Sequence, residues 1–374
     1  MPRTIAGRLA ALVALLSIST LAVATAQRTF VSTAGSDANA GANCSIVLPC
    51  RGFAAAVGAT TAGGEVIVLD SGGYGPVTIN HSVTIEAPPG IYAGISVLSG
   101  TGVTVVAPGA SVALRGLTIT GLGGDVGIRL TDVAKVHIAR CRIVGFTSHG
   151  VFQNAPGATS IVIEDTEVTD VGSVAFNLSA SVASVDLIRV TALRTVDDAI
   201  SASAVSSLTV RDAVLRDIGG SALYILLSAG GTTKTTLDSI DASRVVGPCV
   251  FVLSLSGGAA VRMTISRSIL SECVSSGNTF ESAIDSRANE GNTSDIAVND
   301  VVIRGSGGDG IANSNNTGTR MAVSRSVIVG SVGFALHNGS SGIFYSRQDN
   351  TIRGNNGLET TGQTSGTITL LPPL

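Results

Sequence analysis

Short runs of alternating apolar residues recur along this chain about every 24 positions. That self-similarity constrains the fold more than any other feature. A first run appears as Val136-His137-Ile138, Ile161-Val162-Ile163, Val185-Asp186-Leu187, Leu208-Thr209-Val210, Ile296-Ala297-Val298 and Met321-Ala322-Val323. A second follows each, as in Ile143-Val144, Leu193-Arg194, Leu215-Arg216, Ile303-Arg304 and Ile328-Val329. A third places a small residue before a branched or aromatic one: Gly150-Val151, Ala175-Phe176, Ala199-Ile200, Ala222-Leu223, Ala283-Ile284, Gly310-Ile311 and Ala335-Leu336. Three short strands per repeat describe a solenoid, not a sandwich.

One position registers the repeats. Just after each first strand stand Arg140, Asp165, Arg189, Asp212, Ser239, Arg267, Asp300, Arg325 and Asp349, spaced 25, 24, 23, 27, 28, 33, 25 and 24 residues apart. Equivalent positions on stacked parallel strands lie ~4.8 Å apart. Alternating charges there attract and like charges repel. The column therefore reads as a ladder on the outer wall that fixes register. It leads to a right-handed parallel β-helix of about eleven coils, roughly 50 Å long. Val66-Ile67-Val68, Val77-Thr78-Ile79, Val83-Thr84-Ile85, Val103-Thr104-Val105 and Val112 to Ile119 supply the earlier strands. Val, Ile, Leu, Ala and the rings of Phe146, Phe176, Phe251 and Phe334 are expected inside. The polar stretches Ser275 to Thr279 and Ser286 to Ser294 are expected as loops.

Composition agrees with many short strands. Hydrophobic residues are 44% of the 374, charged residues 13% and aromatics 3%, with 46 glycines and no tryptophan. That excludes helical bundles and disorder. The net charge of −3 and the few rings exclude a nucleic-acid footprint. They also weaken the case for a strong sugar subsite.

Residues 1–26 have the form of a secretory leader: Arg3 and Arg8, an apolar run from Leu9 to Val23, and the small-residue site Ala24-Thr25-Ala26. Cleavage before Gln27 leaves no membrane span, so a secreted or periplasmic protein is expected; an uncleaved anchor is the alternative. Residues 27–64 form a cap region and 65–374 the β-helix. Pro49 to Ala59 suits a short capping helix, and Thr367 to Leu371 a last strand before Pro372-Pro373. Cys44 and Cys50 are expected to pair. Cys249 and Cys273, 24 residues apart, either staple adjacent coils or stay as buried thiols. Cys141 reads as a small buried hydrophobe.

The opening residues carry a resemblance. Thr29-Phe30-Val31-Ser32, Gly35-Ser36-Asp37-Ala38-Asn39, Pro49-Cys50-Arg51-Gly52-Phe53 and Gly63-Gly64-Glu65-Val66-Ile67-Val68-Leu69-Asp70 resemble the start of secreted bacterial right-handed parallel β-helix proteins of the pectin-lyase-like superfamily. The resemblance continues through Gly73-Tyr74-Gly75 and Ser82-Val83-Thr84-Ile85. It implies the architecture and the cap. For activity it implies only a range: polysaccharide lyases, glycoside hydrolases, epimerases and adhesins.

Candidate chemistry lies in two places. Asp197-Asp198-Ala199-Ile200 resembles the paired aspartates of the polygalacturonase branch, and Ser148-His149-Gly150 its histidine motif. Here the histidine precedes the pair by 48 residues instead of following it. His149, Val174, Asp198, Ser221, Ser282 and Asp309 also share one repeat position, which reads as a polar turn edge. The second constellation is Arg194, Arg216 and Arg244, expected on one column, with Asp197, Asp198 and Asp217 near. Such a set could remove a proton beside a uronate carboxylate and hold calcium if the protein is a lyase. No other cofactor or metal is implied, and Asp309 alone does not make a calcium site. Two functions remain: a structural or binding protein contacting envelope or extracellular polysaccharide, or a lyase or hydrolase acting on a uronic-acid polymer.

Overall fold

The computed structural model describes residues 26–373, except 155–156, 180, 228–229, 256, 275–281, 315–317, 340–341 and 357–362. The leader falls outside the described residues apart from Ala26, as does the Ser275 to Thr279 loop.

The chain winds as a parallel β-solenoid of about eleven turns. Each turn contributes a strand to three walls, called first, second and third here in chain order. One complete turn runs Ser160–Glu164, Glu167–Val171 and Phe176–Leu178. The next begins at Val182–Ile188 and pairs in register, with Ile161 on Val185 and Ile163 on Leu187. Inside, like residues stack on like. Ile143, Val168, Ala192 and Leu215 form one file of the second wall. Val151, Phe176, Ile200 and Leu223 form one of the third. All are at most 2% exposed. Their removal from water supplies the main folding force, and the branched side chains fit the pleat.

Toward the C-terminus the filling turns polar. Asn313 donates from Nδ2 to Asn338 Oδ1 at 2.8 Å, and Ser286 and Ser294 share a 2.8 Å hydrogen bond, all buried. This corrects the expected loop over Ser286 to Ser294. Ile284–Ala288 and Thr293–Asn299 are strands whose serines face inward and satisfy each other.

The N-terminal end is covered. Strand Ala26–Val31 pairs with Thr60–Val68. The helix Phe53–Ala59 buries Phe53, Ala56, Val57 and Ala59 over the first turn. Cys44 and Cys50 form a disulfide. Burial alone would raise Asp70, but hydrogen bonds from Tyr74, Ser32 and Thr33 overcome it and bring its carboxyl to about 2. The last described strand, Thr369–Leu371, is shorter than the expected one.

The expected charge ladder stands at the corner between the first and second walls. Arg189 forks onto Asp165 at 2.6 and 2.8 Å, and Arg325 onto Asp300 at 2.8 and 2.9 Å. Arg140 reaches Glu86 and Arg267 reaches Asp238, since neutral Ser239 offers Arg267 no charge. The eight positions from Arg140 to Arg325 have φ between 47° and 58°. In this left-handed conformation glycine is the easy choice, and Gly116 occupies it one turn earlier.

A second ladder lies five residues further along each turn: Asp170, Arg194, Asp217, Arg244 and Glu272, again left-handed, with Gly145, Gly305, Gly330 and Gly354 continuing the column. Each sits in a bulge that the pairing skips, as between Thr169–Leu193 and Val171–Thr195.

Candidate functional site

The second ladder settles where the arginines go. Arg194 forks onto Asp170 at 2.6 and 2.8 Å, and Arg244 onto Asp217 at 2.5 and 2.9 Å. Asp170 is held at about 2 by the Arg194 guanidinium. Arg216 is not in that column, contrary to expectation. It stacks on Leu193 and Ser243, one residue earlier, and pairs with Asp241. A one-residue slip separates the two files. All three guanidiniums are thus engaged by carboxylates on the outer wall.

Asp197 and Asp198 lie in the turn that leads from the second wall to the third. Asp197 is exposed and Asp198 is 8% exposed. Asp198 accepts the Ser221 N–H of the next turn at 2.7 Å, and Asp309 accepts Phe334 N–H the same way at 2.6 Å. At Asp198 and Asp309 the shared turn-edge position therefore caps the neighbouring rung. It also does more at Asp198, whose carboxyl burial pushes up to about 6. A Cβ at Gly220 would lie 2.7 Å from its Oδ1, so only glycine leaves that carboxyl its space.

Beside Asp198 opens a groove of about 290 Å³ lined by Asp197, Gly220, Tyr224, Pro248 and Phe251. Tyr224 and Phe251 are outward neighbours on the third wall, their rings stacked 5.4 Å apart and 17° from parallel. The Arg287 guanidinium lies 5.1 Å over Phe251 and donates to Asp285 at 2.7 and 3.1 Å. Asp285 is fully buried, which pushes its carboxyl up against the pull of Arg287.

This outward file of the third wall continues both ways. Toward the N-terminus come Ser201, Asn177, Phe152 and Arg129. Arg129 lies 5.1 Å over the Phe152 ring, His149 stacks on it at 4.5 Å, and His149 Nε2 meets Asn177 at 3.0 Å. Burial and the Arg129 charge hold His149 below the usual histidine range. Toward the C-terminus come Ala312 and His337, whose Nδ1 meets Asp309 Oδ2 at 2.6 Å.

Sequence reasoning missed this stripe. It placed Phe251 and Phe334 inside with Phe146 and Phe176. The latter two are buried, whereas Phe251 and Phe334 are half-exposed on the outer side. The usable signal was alternation: in Val250-Phe251-Val252 the two valines are the inward residues. Among the described residues no three Asp, Glu, His or Cys side chains converge as a metal site.

No protein-family model matches the chain, and no curated protein matches its sequence. Two solved structures resemble it in shape. One is the crystal structure of pectate lyase Pel9A, at 11% identity and TM-score 0.47, over 91% of this chain and 83% of that one. The other is the A-module of Azotobacter vinelandii mannuronan C-5 epimerase AlgE4, at 12% identity and TM-score 0.47, over 82% and 88%. Likenesses this distant leave the chemistry to be read from the residues themselves.

Proposed function

We propose that this protein is an exported polysaccharide-binding solenoid whose third wall holds one neutral glycan strand along the axis. The observation that carries the reading is the Tyr224–Phe251 platform, flanked by Arg287 on one side and the Asp197–Asp198 groove on the other. The outward edges of the two stacked rings offer an apolar strip to pyranose C–H groups, and carboxylates accept hydrogen bonds from sugar hydroxyls. A uronate strand is disfavoured here. Arg194, Arg216 and Arg244 are engaged by their own carboxylates, and the groove presents Asp197 and Asp198. Two disulfides fit an oxidising compartment, and among the described residues no helix is long and apolar enough to cross a membrane.

Calorimetric titration with neutral glucan, xylan and mannan oligosaccharides tests this. One of them should bind, and Tyr224→Ala or Phe251→Ala should each weaken binding about tenfold. No binding by any neutral glycan, or binding indifferent to both variants, would overturn the reading.

One observation favours a second reading, glycosidic cleavage. At about 6, Asp198 keeps a useful protonated fraction near neutrality, and Asp197 stands next to it. One carboxyl could protonate the leaving oxygen while the other activates water. New reducing ends that disappear in Asp198→Asn would establish it.

A further inference from the structure

The first wall carries a second groove, of about 530 Å³, that shares no lining residue with the groove beside Asp198. Its rim is a row of outward residues on four successive rungs: Lys234, Arg262, Asp295 and Arg320. Its floor is the parallel row Thr236, Thr264, Ala297 and Ala322, all small, with Tyr345 closing the far end. The small floor is what makes a groove on an otherwise flat strand surface.

The cations of this rim differ from the ladder arginines. Those fork onto carboxylates of the adjacent rung, whereas Lys234, Arg262 and Arg320 make no ion pair or hydrogen bond among the described residues, even with Asp295 as a register neighbour. Free, exposed guanidiniums along a groove suit carboxylate or sulfate groups. A stacking role for nucleic-acid bases is not supported, because Tyr345 is the one ring lining this groove.

We infer that the first-wall groove binds a linear anionic polysaccharide in which charged and neutral residues alternate. Spacing along the axis selects the polymer. Rungs repeat every ~4.8 Å, and a pyranose residue advances an extended chain by nearly the same step. Arg262 and Arg320 are two rungs apart, with Asp295 between them. An alternating polymer sets anions on the two arginines and uncharged residues on Asp295 and Lys234, whose long flexible stem can still reach the anion on Arg262. A homopolymeric uronate is forced to set one carboxylate against another, and like charges in that position are selected against.

The test compares oligosaccharides alternating glucuronate with N-acetylglucosamine against oligogalacturonate of equal length, using the intact protein. The alternating polymer should bind about tenfold tighter, with a salt-dependent affinity. The double variant Arg262→Ala, Arg320→Ala should lose about tenfold for it while neutral-glycan binding at the third wall is kept. Asp295→Asn should improve oligogalacturonate selectively. Because Arg262 and Arg320 are exposed, the double variant should melt with the parent, and the comparison of the two polymers needs no variant at all. Equal affinity for both polymers, equal competition by single-stranded DNA, or a double variant that binds like the parent would each overturn the inference.

Discussion

Replacing Asp198 with asparagine should stabilise the protein at neutral pH, by about 2–3 kcal/mol, and leave its stability near pH 4 unchanged. The native carboxyl sits at about 6 against 3.8 for a free aspartate, because burial penalises its charged form. The folded chain therefore holds this proton more tightly than the unfolded chain. Stability from this residue is full below pH 4 and falls as the pH rises from about 4 to about 6. Asparagine has no charge to bury, and its oxygen can still accept the Ser221 N–H. Denaturant melts of both proteins across that range give the answer as a difference. Superimposable curves would mean that Asp198 costs the fold nothing, and the case for a functional role would weaken. The cost matters because the capping contact alone does not require a charge; residues that destabilise a fold at their own site mark function more often than structure. Asp70 and Asp170, both at about 2, act with the opposite sign: the stability they add above pH 4 is lost as the pH falls toward 2.

The second large effect concerns the staple between rungs. Cys249 and Cys273 form a disulfide with Cα atoms 5.5 Å apart, across 24 residues of chain. Cys249 precedes the third-wall strand Val250–Ser254, while Cys273 ends the second-wall strand Ile269–Cys273 and stacks on Val245. The bridge thus joins consecutive turns at an inner corner. Closing a loop of this length should contribute about 3 kcal/mol by restricting the unfolded chain. The double variant Cys249→Ala, Cys273→Ala should lose that much in urea unfolding. No loss would show that the two thiols are not joined. Cys141 gives an internal control, since it is buried and not disulfide-bonded, and its thiol is pushed up to about 11 by that burial.

Much of the fold was legible because a solenoid repeats its errors as well as its truths. Nine positions from Arg140 to Asp349 established the period, and parallel pairing then made Asp165 and Arg189 neighbours. The second ladder is equally regular, always five residues on, but Arg216 beside Asp217 offers a false match to Arg194 and Arg244. With a side-chain period of two, that single slip moves a residue from one file to another. The third wall was harder still. Its outward positions Phe152, Asn177, Ser201, Tyr224 and Phe251 each stand twelve residues after a ladder position, but the file mixes rings, an amide and a hydroxyl and so has no repeating chemistry to mark it. Scarce aromatics also argued against a ring platform, although composition is silent on where few rings gather. Burial decided the rest: Asp198 looks like any turn aspartate in the sequence, and only its enclosure by Gly220, Ser221 and Tyr224 distinguishes it.

The most direct measurement is a carbon-detected NMR titration of selectively labelled aspartate, followed at Asp198 with and without a bound neutral oligosaccharide. A midpoint near 6 is expected in the free protein. Bound sugar should shift that midpoint, because it removes water from the carboxyl and brings hydroxyl donors to it. A midpoint at the ordinary aspartate value, or one that saturating oligosaccharide leaves in place, would contradict the assignment of this wall as the ligand site.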